Sequence, residues 1–195
     1  SEPHEQAEWV AYTIKQEHLT YDDRERPYFI EDPKVSTKSA DWRNYRGSGY
    51  DRGHLLPAGD RRFSEQAYNE TFYTSNISPQ NKDFNAGIWN RLEQQVRYWC
   101  KKEGELFVVT GGVLEEGLPQ IGDEDVDVPR AYYKIVMKIF KFFLIYFPSY
   151  INVLLKPQMN KVKEKIKTSN FSSLSLQGLI YKTNIFYFII LKIKE

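Results

Sequence analysis

Residues 85–112 constrain the fold of this chain more than any other stretch. Ile88, Leu92, Val96 and Trp99 recur at helical spacing across 85–102, which predicts an amphipathic helix. Gly104 is the expected stop. Leu106-Phe107-Val108-Val109-Thr110 follows at once, a short buried-strand pattern ended by Gly111 and Gly112. A helix that runs directly into such a strand needs a sheet to lie on. The runs WVAYTI (9–14) and AYYKIV (131–136) are β-branched and aromatic, and they supply further strands. The expected class is α+β, with strands flanking at least one long helix. A shorter helix is expected at 66–73, with Ser64 as its N-cap, and a polar, turn-rich surface loop at 36–49. No internal repeat is visible.

Several function classes fall away on composition. The single Cys100 excludes a disulfide framework and a cysteine-rich zinc site. His4, His18 and His54 lie far apart, without the paired spacing of a histidine zinc site. No apolar run reaches the ~18 residues of a membrane span. Residues 1–8 are polar and read as a flexible lead-in, without a signal-peptide pattern. The formal net charge of +1 hides a split. Residues 1–136 carry 17 Lys and Arg against 24 Asp and Glu, whereas residues 137–195 carry 10 Lys, no Arg and 2 acids. An overtly basic nucleic-acid binder is therefore not indicated by net charge.

The chemistry concentrates in two segments. In Tyr50-Asp51-Arg52-Gly53-His54-Leu55-Leu56-Pro57-Ala58, an extended backbone puts Arg52 and His54 on one face. A guanidinium beside an imidazole suits phosphate chemistry: one binds phosphate oxygens in parallel, the other accepts a proton from water. Read alone, His54 is more often an ordinary surface histidine. The second segment runs from Thr71 through Glu93 to Arg97. On its helix Asn85, Trp89, Glu93 and Arg97 are successive i, i+4 neighbours. Taken blandly, Glu93 and Arg97 form a surface pair, and Asn85 caps the helix it begins.

Three motifs in order, Asp51-Arg52-Gly53-His54, Ser75-Asn76-Ile77-Ser78-Pro79-Gln80, and Asn85-x3-Trp89-x2-Leu92-Glu93, resemble the DNA/RNA non-specific endonucleases. These are the sugar-non-specific, endonuclease G-like enzymes with a ββα-metal (His-Me finger) fold, a mainly antiparallel sheet and flanking helices. The resemblance implies a metal-dependent, sequence-non-specific hydrolase of phosphodiester bonds in DNA and RNA. It implies His54 as general base, Asn85 as the one protein ligand of Mg²⁺ (Mn²⁺ is the alternative), and Glu93 as the acid ordering the metal-bound water. Arg97 matches a catalytic phosphate contact, and Arg52 and Arg26 match further phosphate-binding arginines. Asn76 matches a substrate-side asparagine that supports the site. Asp51 is expected to hold the turn or an arginine. None of these contacts reads a base edge, so sequence-blind cleavage follows from the chemistry. Arg43, Arg46, Arg52, Arg61, Arg62, Arg91 and Arg97 sit near the motifs, which suggests a basic cleft on an acidic body.

The resemblance is followed over 9–136, the expected nuclease domain. Of the 59 residues from 137 to 195, 41 are Lys, Ile, Phe, Asn, Tyr or Leu. All six can be encoded by A and T alone, so this atypical tail reads as a frameshifted or read-through product. The functional alternative is a basic, aromatic segment for nucleic acid or a membrane surface. If a core strand were lost with the family ending, the tail would have to cover the bare sheet edge. Two rivals to the enzyme remain: an altered family member that only binds nucleic acid, and a non-catalytic interaction protein on the same scaffold. Relatives often dimerise, so a homodimer is an expected alternative to a monomer. Secretion or a periplasmic location is expected from the Ser1 start and the single cysteine.

Overall fold

The computed structural model describes residues 1–139, 177–182 and 186–194. Its main sheet has five antiparallel strands in the order β1-β4-β7-β9-β8. They are β1 (Val10–Lys15), β4 (Glu105–Gly112), β7 (Ala131–Ile139), β9 (Phe186–Lys194) and β8 (Gln177–Lys182). A separate two-stranded ribbon pairs β2 (Asp51–His54) with β3 (Ile77–Gln80), and a second pairs β5 (Gln120–Ile121) with β6 (Val126–Asp127). The short helix α1 spans Glu65–Glu70, and the Ser64 hydroxyl accepts from the Ala67 amide as its cap.

The long helix is less regular than its periodicity predicts. It begins earlier, with α2 (Lys82–Phe84) capped by the Asn81 side chain, which accepts from the amides of Asp83 and Phe84. A π-helical turn, Asn85–Trp89, comes next, and then α3, Asn90–Glu103. Gly104, at φ 82°, ends it, and its N–H returns to the Cys100 carbonyl. Asn85 is thus not the cap. The true cap four residues upstream frees its side chain for other work. A single π turn inserts one residue into the helical phase, a device that recurs at functional sites.

The face of α3 that bears Leu92, Val96 and Cys100 packs on Tyr12, Ile14, Leu106, Val108, Tyr132 and Val136 of the sheet, with Phe84 and Trp89 beside them. Each fully buried Leu or Val there contributes roughly 1.5–3 kcal/mol. The opposite face of β4 and β7 buries Val109, Tyr133, Ile135 and Met137. Strands β4 and β7 are therefore covered on both sides, which explains their nearly continuous apolar sequence.

Residues 1–8 are anchored, contrary to the flexible lead-in expected. Buried Gln6 donates to the Asp127 carbonyl at 2.6 Å and accepts from the Ser78 hydroxyl at 2.6 Å, and His4 pairs with Asp127. The second edge of β7 is not bare. Strand β9 pairs with it from Ala131↔Lys194 to Ile139↔Phe186, so the chain beyond 137 contributes two strands to the sheet. The remainder of the tail, on which the read-through and binding-segment readings chiefly rest, lies outside the described residues. Among those described, no helix is long and apolar enough to cross a membrane.

Candidate active site

The site forms where the β2–β3 ribbon meets the long helix. Gly53 is required by close approach: a Cβ there would strike the side chain of Gln80, which has no exposed surface. The ribbon is seated on the helix by Trp89, whose Nε1–H donates to the His54 carbonyl at 3.3 Å. Beyond His54, Asn76 clamps the chain. Its amide donates to the carbonyls of Leu56 (3.0 Å) and Thr71 (2.9 Å), and its Oδ1 accepts from the Leu56 N–H at 2.9 Å. This corrects its expected place among the substrate-binding residues. Both halves of the amide are already committed to backbone, so Asn76 shapes the loop.

The imidazole of His54 stands between Phe29 and Phe72, at ring-centroid distances of 5.7 and 5.1 Å. The Phe29 segment is held there by the Ile30–Tyr73 bridge. One ring nitrogen hydrogen-bonds the Arg52 backbone, while Nε2 is buried with no partner. By elimination Nδ1–H faces the Arg52 carbonyl and the lone pair sits on Nε2. Burial, helped by the Arg26 charge, pulls the His54 pKa down to about 4, so the imidazole is neutral at pH 7.

Among the described residues the arginines of this wall have no carboxylate partner. Arg52 lies among Phe29, Trp42 and Tyr45, 5.3–5.9 Å from the ring centroids, with its Nε unpartnered. Arg26 lies over Phe29 and Phe72 at 5.1 and 5.3 Å and is exposed. Aromatic faces hold both guanidinium groups without neutralising them.

The helical wall is built differently. Asn85 Nδ2 donates to Asp51 Oδ2 at 3.0 Å. Asp51 therefore orients the asparagine, rather than the turn or an arginine as expected. Because the amide nitrogen is engaged, Oδ1 remains as an oxygen donor. Arg97 Nε donates to Asp60 Oδ1 at 2.6 Å, and its Nη2 stands 3.7 Å from Glu93 Oε2. Asp60 is buried, is also hydrogen-bonded by the Tyr12 hydroxyl, and lies on a turn whose Gly59 leaves room for Arg97. A Cβ at Gly59 would come within 2.8 Å of Arg97 Nη2. Arg97 is thus paired, held by Asp60 with Glu93 beside it, rather than a free guanidinium. Glu93 is largely buried. Burial raises its pKa to about 7 against the opposing pull of Lys134 and Arg97.

Sequence reading missed Asp60, Lys134, Phe29 and Phe72. Asp60 had one weak signal, its place six residues beyond His54 within the same loop. Lys134 had a better one: it alternates with Tyr132 and Val136, so it falls in phase with the core face of its strand.

Mg²⁺ suits this donor set. The available groups are hard oxygens, the Asn85 carbonyl with the Asp51 carboxylate beside it. No cluster of three or more His, Cys, Asp or Glu suited to a metal exists among the described residues. A metal with few protein ligands and many waters is the kind such a site accommodates.

A two-stranded ribbon joined to a helix, with a neutral histidine on the ribbon and a helix asparagine tied to that ribbon through Asp51, fits a ββα-metal nuclease fold. The model of the DNA/RNA non-specific endonuclease family matches residues 2–173, and the chain belongs to that family, an enzyme family of hydrolases. The match passes well beyond Val136, where the resemblance was expected to end. The chain is 38% identical over 141 residues to the mouse (Mus musculus) mitochondrial nuclease EXOG, covering 66% of this chain and 38% of that protein. It is 35% identical over 144 residues to human (Homo sapiens) mitochondrial endonuclease G, covering 66% and 48%. The crystal structure of an EndoG/EndoGI complex matches with a TM-score of 0.65 at 30% identity, covering 73% of this chain and 64% of that one. The chain spans less than half the length of both mitochondrial relatives. Their names correct the expectation of a secreted or periplasmic protein, since these relatives are mitochondrial nucleases.

Proposed function

We propose that this chain is a metal-dependent, sequence-non-specific endonuclease that hydrolyses phosphodiester bonds in DNA and RNA in a mitochondrial setting. The observation that carries the reading is the buried, unpartnered lone pair of His54 Nε2 beside two arginines that have no acidic partner among the described residues. A phosphodiester supplies what that wall lacks. Arg52 and Arg26 bind its oxygens. The anion offsets the positive field at His54 and so makes the imidazole more basic. Nε2 then takes the proton of a water as that water attacks phosphorus.

Asn85 Oδ1, steadied by Asp51, would hold the divalent cation, and Glu93 would order its water. When bound, the cation stabilises negative charge on the phosphate and the leaving oxygen. Asn76 keeps the loop after His54 in place, and Arg97 keeps Glu93 in place. Every group proposed to touch substrate addresses phosphate or water, which leaves base identity unread.

Digestion of supercoiled plasmid and of a structured RNA tests the proposal. Both substrates are expected to be cut in Mg²⁺ or Mn²⁺ and spared in EDTA. Cleavage that persists in EDTA, or soluble protein that binds nucleic acid without cutting, overturns it. The second outcome favours a binding-only family member.

A further inference from the structure

The arginine wall has a regularity that phosphate binding does not use: guanidinium groups and rings alternate along it. Arg26 lies over Phe72 and Phe29, and Arg52 lies over Phe29 and Trp42, each guanidinium 5.1–5.4 Å from the ring centroid. The contacts run in the order Phe72, Arg26, Phe29, Arg52, Trp42. Phe72 is buried and Phe29 half-buried, whereas Trp42 is 39% exposed. The most open ring of the series therefore stands beside Arg52, whose Nε is still without a partner.

That ring is held ready. Trp42 opens a 3₁₀ turn, Trp42–Tyr45, whose cap Asp41 accepts from the Arg43 amide at 2.7 Å. Asn44 ties the turn down: its Nδ2 donates to the Asp41 carbonyl at 2.7 Å, and its Oδ1 accepts from the Glu124 amide at 3.1 Å. Tyr45 buries its ring with Ala40, Ile77 and Val126, and Arg52 Nη2 donates to the Trp42 carbonyl at 3.5 Å. A side chain on so firm a base loses little freedom when a ligand settles on it.

A single exposed apolar residue needs no special explanation. Trp42 differs because its ring is coupled to a group proposed to bind phosphate. In a nucleotide the base is one sugar away from the phosphate, and here the indole is one contact away from the guanidinium. We infer that Trp42 is a substrate-binding residue of this site, whose indole stacks on the base of the nucleotide whose phosphate Arg52 holds. The inference rests on the proposed phosphate contact of Arg52. It adds a contact to the face of a base and none to its edge, so cleavage stays blind to sequence.

Binding measured in EDTA tests it with two single-stranded probes of equal length, an oligothymidylate and an abasic oligomer that has the same phosphates and no bases. The wild type should bind the oligothymidylate more tightly. Trp42→Ala should lose that preference, weakening by about fivefold to a hundredfold on the oligothymidylate, the range of one base–aromatic stack, and holding level on the abasic oligomer. Trp42→Phe, which keeps a ring, should retain most of the preference, and Arg52→Gln should weaken both probes. A loss by Trp42→Ala on both probes marks the indole as a mere prop for Arg52 and overturns the inference, as does an unchanged preference. Should Trp42→Ala fail to fold, Trp42→Leu, which keeps apolar bulk without a π face, takes its place. Tryptophan fluorescence gives a second readout. The oligothymidylate should quench the wild type and Trp9→Phe, whose exposed indole stands outside the series, but not Trp42→Phe; quenching that survives in Trp42→Phe overturns the stacking. Cleavage in Mg²⁺ is read separately. A wild type that prefers the oligothymidylate through Trp42 but never cuts sinks the nuclease reading and leaves the stacking intact. One that cuts while Trp42→Ala keeps its preference sinks the stacking alone, and one that binds neither probe overturns the stacking together with the Arg52 contact beneath it.

Discussion

The two walls of the site solve opposite problems. On the ribbon side, His54 Nε2 and Arg52 Nε are buried without a partner, and Arg26 and Arg52 face aromatic rings instead of acids. On the helical side, Asn85 is tied to Asp51, Arg97 to Asp60 and Glu93, and Lys134 to Leu55 and Thr110. A buried polar atom without a partner costs roughly 1–3 kcal/mol. Among the described residues His18 Nδ1, Arg24 Nη1 and both amide atoms of Gln80 are also buried without a partner, so the ribbon wall is set apart by joining such an atom on His54 to two guanidinium groups that lie over aromatic rings. In the proposed function this contrast divides the labour: the ribbon wall addresses phosphate and water, and the paired groups of the helical wall keep the geometry.

The sharpest way to break this contrast is at its ends. His54→Ala removes the reacting group and is expected to lower the cleavage rate by about 10³-fold, within the range for a general base, with little change in melting temperature. Asp60→Asn removes a holding group. It leaves Arg97 without its close partner, and the melting transition should fall by an amount equivalent to about 3 kcal/mol, at the low end for a broken buried pair because Arg97 is partly exposed. If both variants lose activity and stability alike, the division fails.

Acidity sharpens the same line. Glu93, raised to about 7 by burial, must be ionised to order water, so cleavage should climb between pH 6 and 8 with a midpoint near 7. His54, pulled down to about 4, stays neutral across that range and adds no limb there. Stability takes the opposite sign at the two groups. The unfolded histidine protonates near ~6.5, so the His54 contribution is present above that value and is lost as pH falls toward 4. The Glu93 contribution is present below its ordinary 4.5 and fades as pH rises through about 7. A pH–rate profile flat from 6 to 8 would contradict the assignment of Glu93. Smaller still, Gly53→Ala should cost about 1–3 kcal/mol by overpacking, read by thermal unfolding, as the new methyl meets the buried Gln80 side chain.

Much of this was legible in the sequence, because periodicity and motif spacing are local. The helix, the strands on either side of it and the order His54, Asn85, Glu93 could be read directly. What escaped was long-range. Asn85 looked like a cap because Asn81 lies four residues upstream, and nothing in the spacing announces a π turn. Arg97 and Asn76 looked like substrate contacts because their partners, Asp60 and the carbonyls of Leu56 and Thr71, are brought in only by the fold. The tail from 137 onward looked foreign by composition, yet backbone pairing accepts any sequence of sufficient β propensity, and β9 lies along β7.

The central claim is that the unpartnered Nε2 of His54 is the proton acceptor. Imidazole added to His54→Ala tests it most directly, with plasmid nicking in Mg²⁺ followed above pH 7, where free imidazole is neutral. The account predicts concentration-dependent recovery of cleavage, with no recovery when Asn85→Ala is treated in the same way. Near-wild-type cleavage by His54→Ala without imidazole, or equal stimulation of both variants, would contradict it.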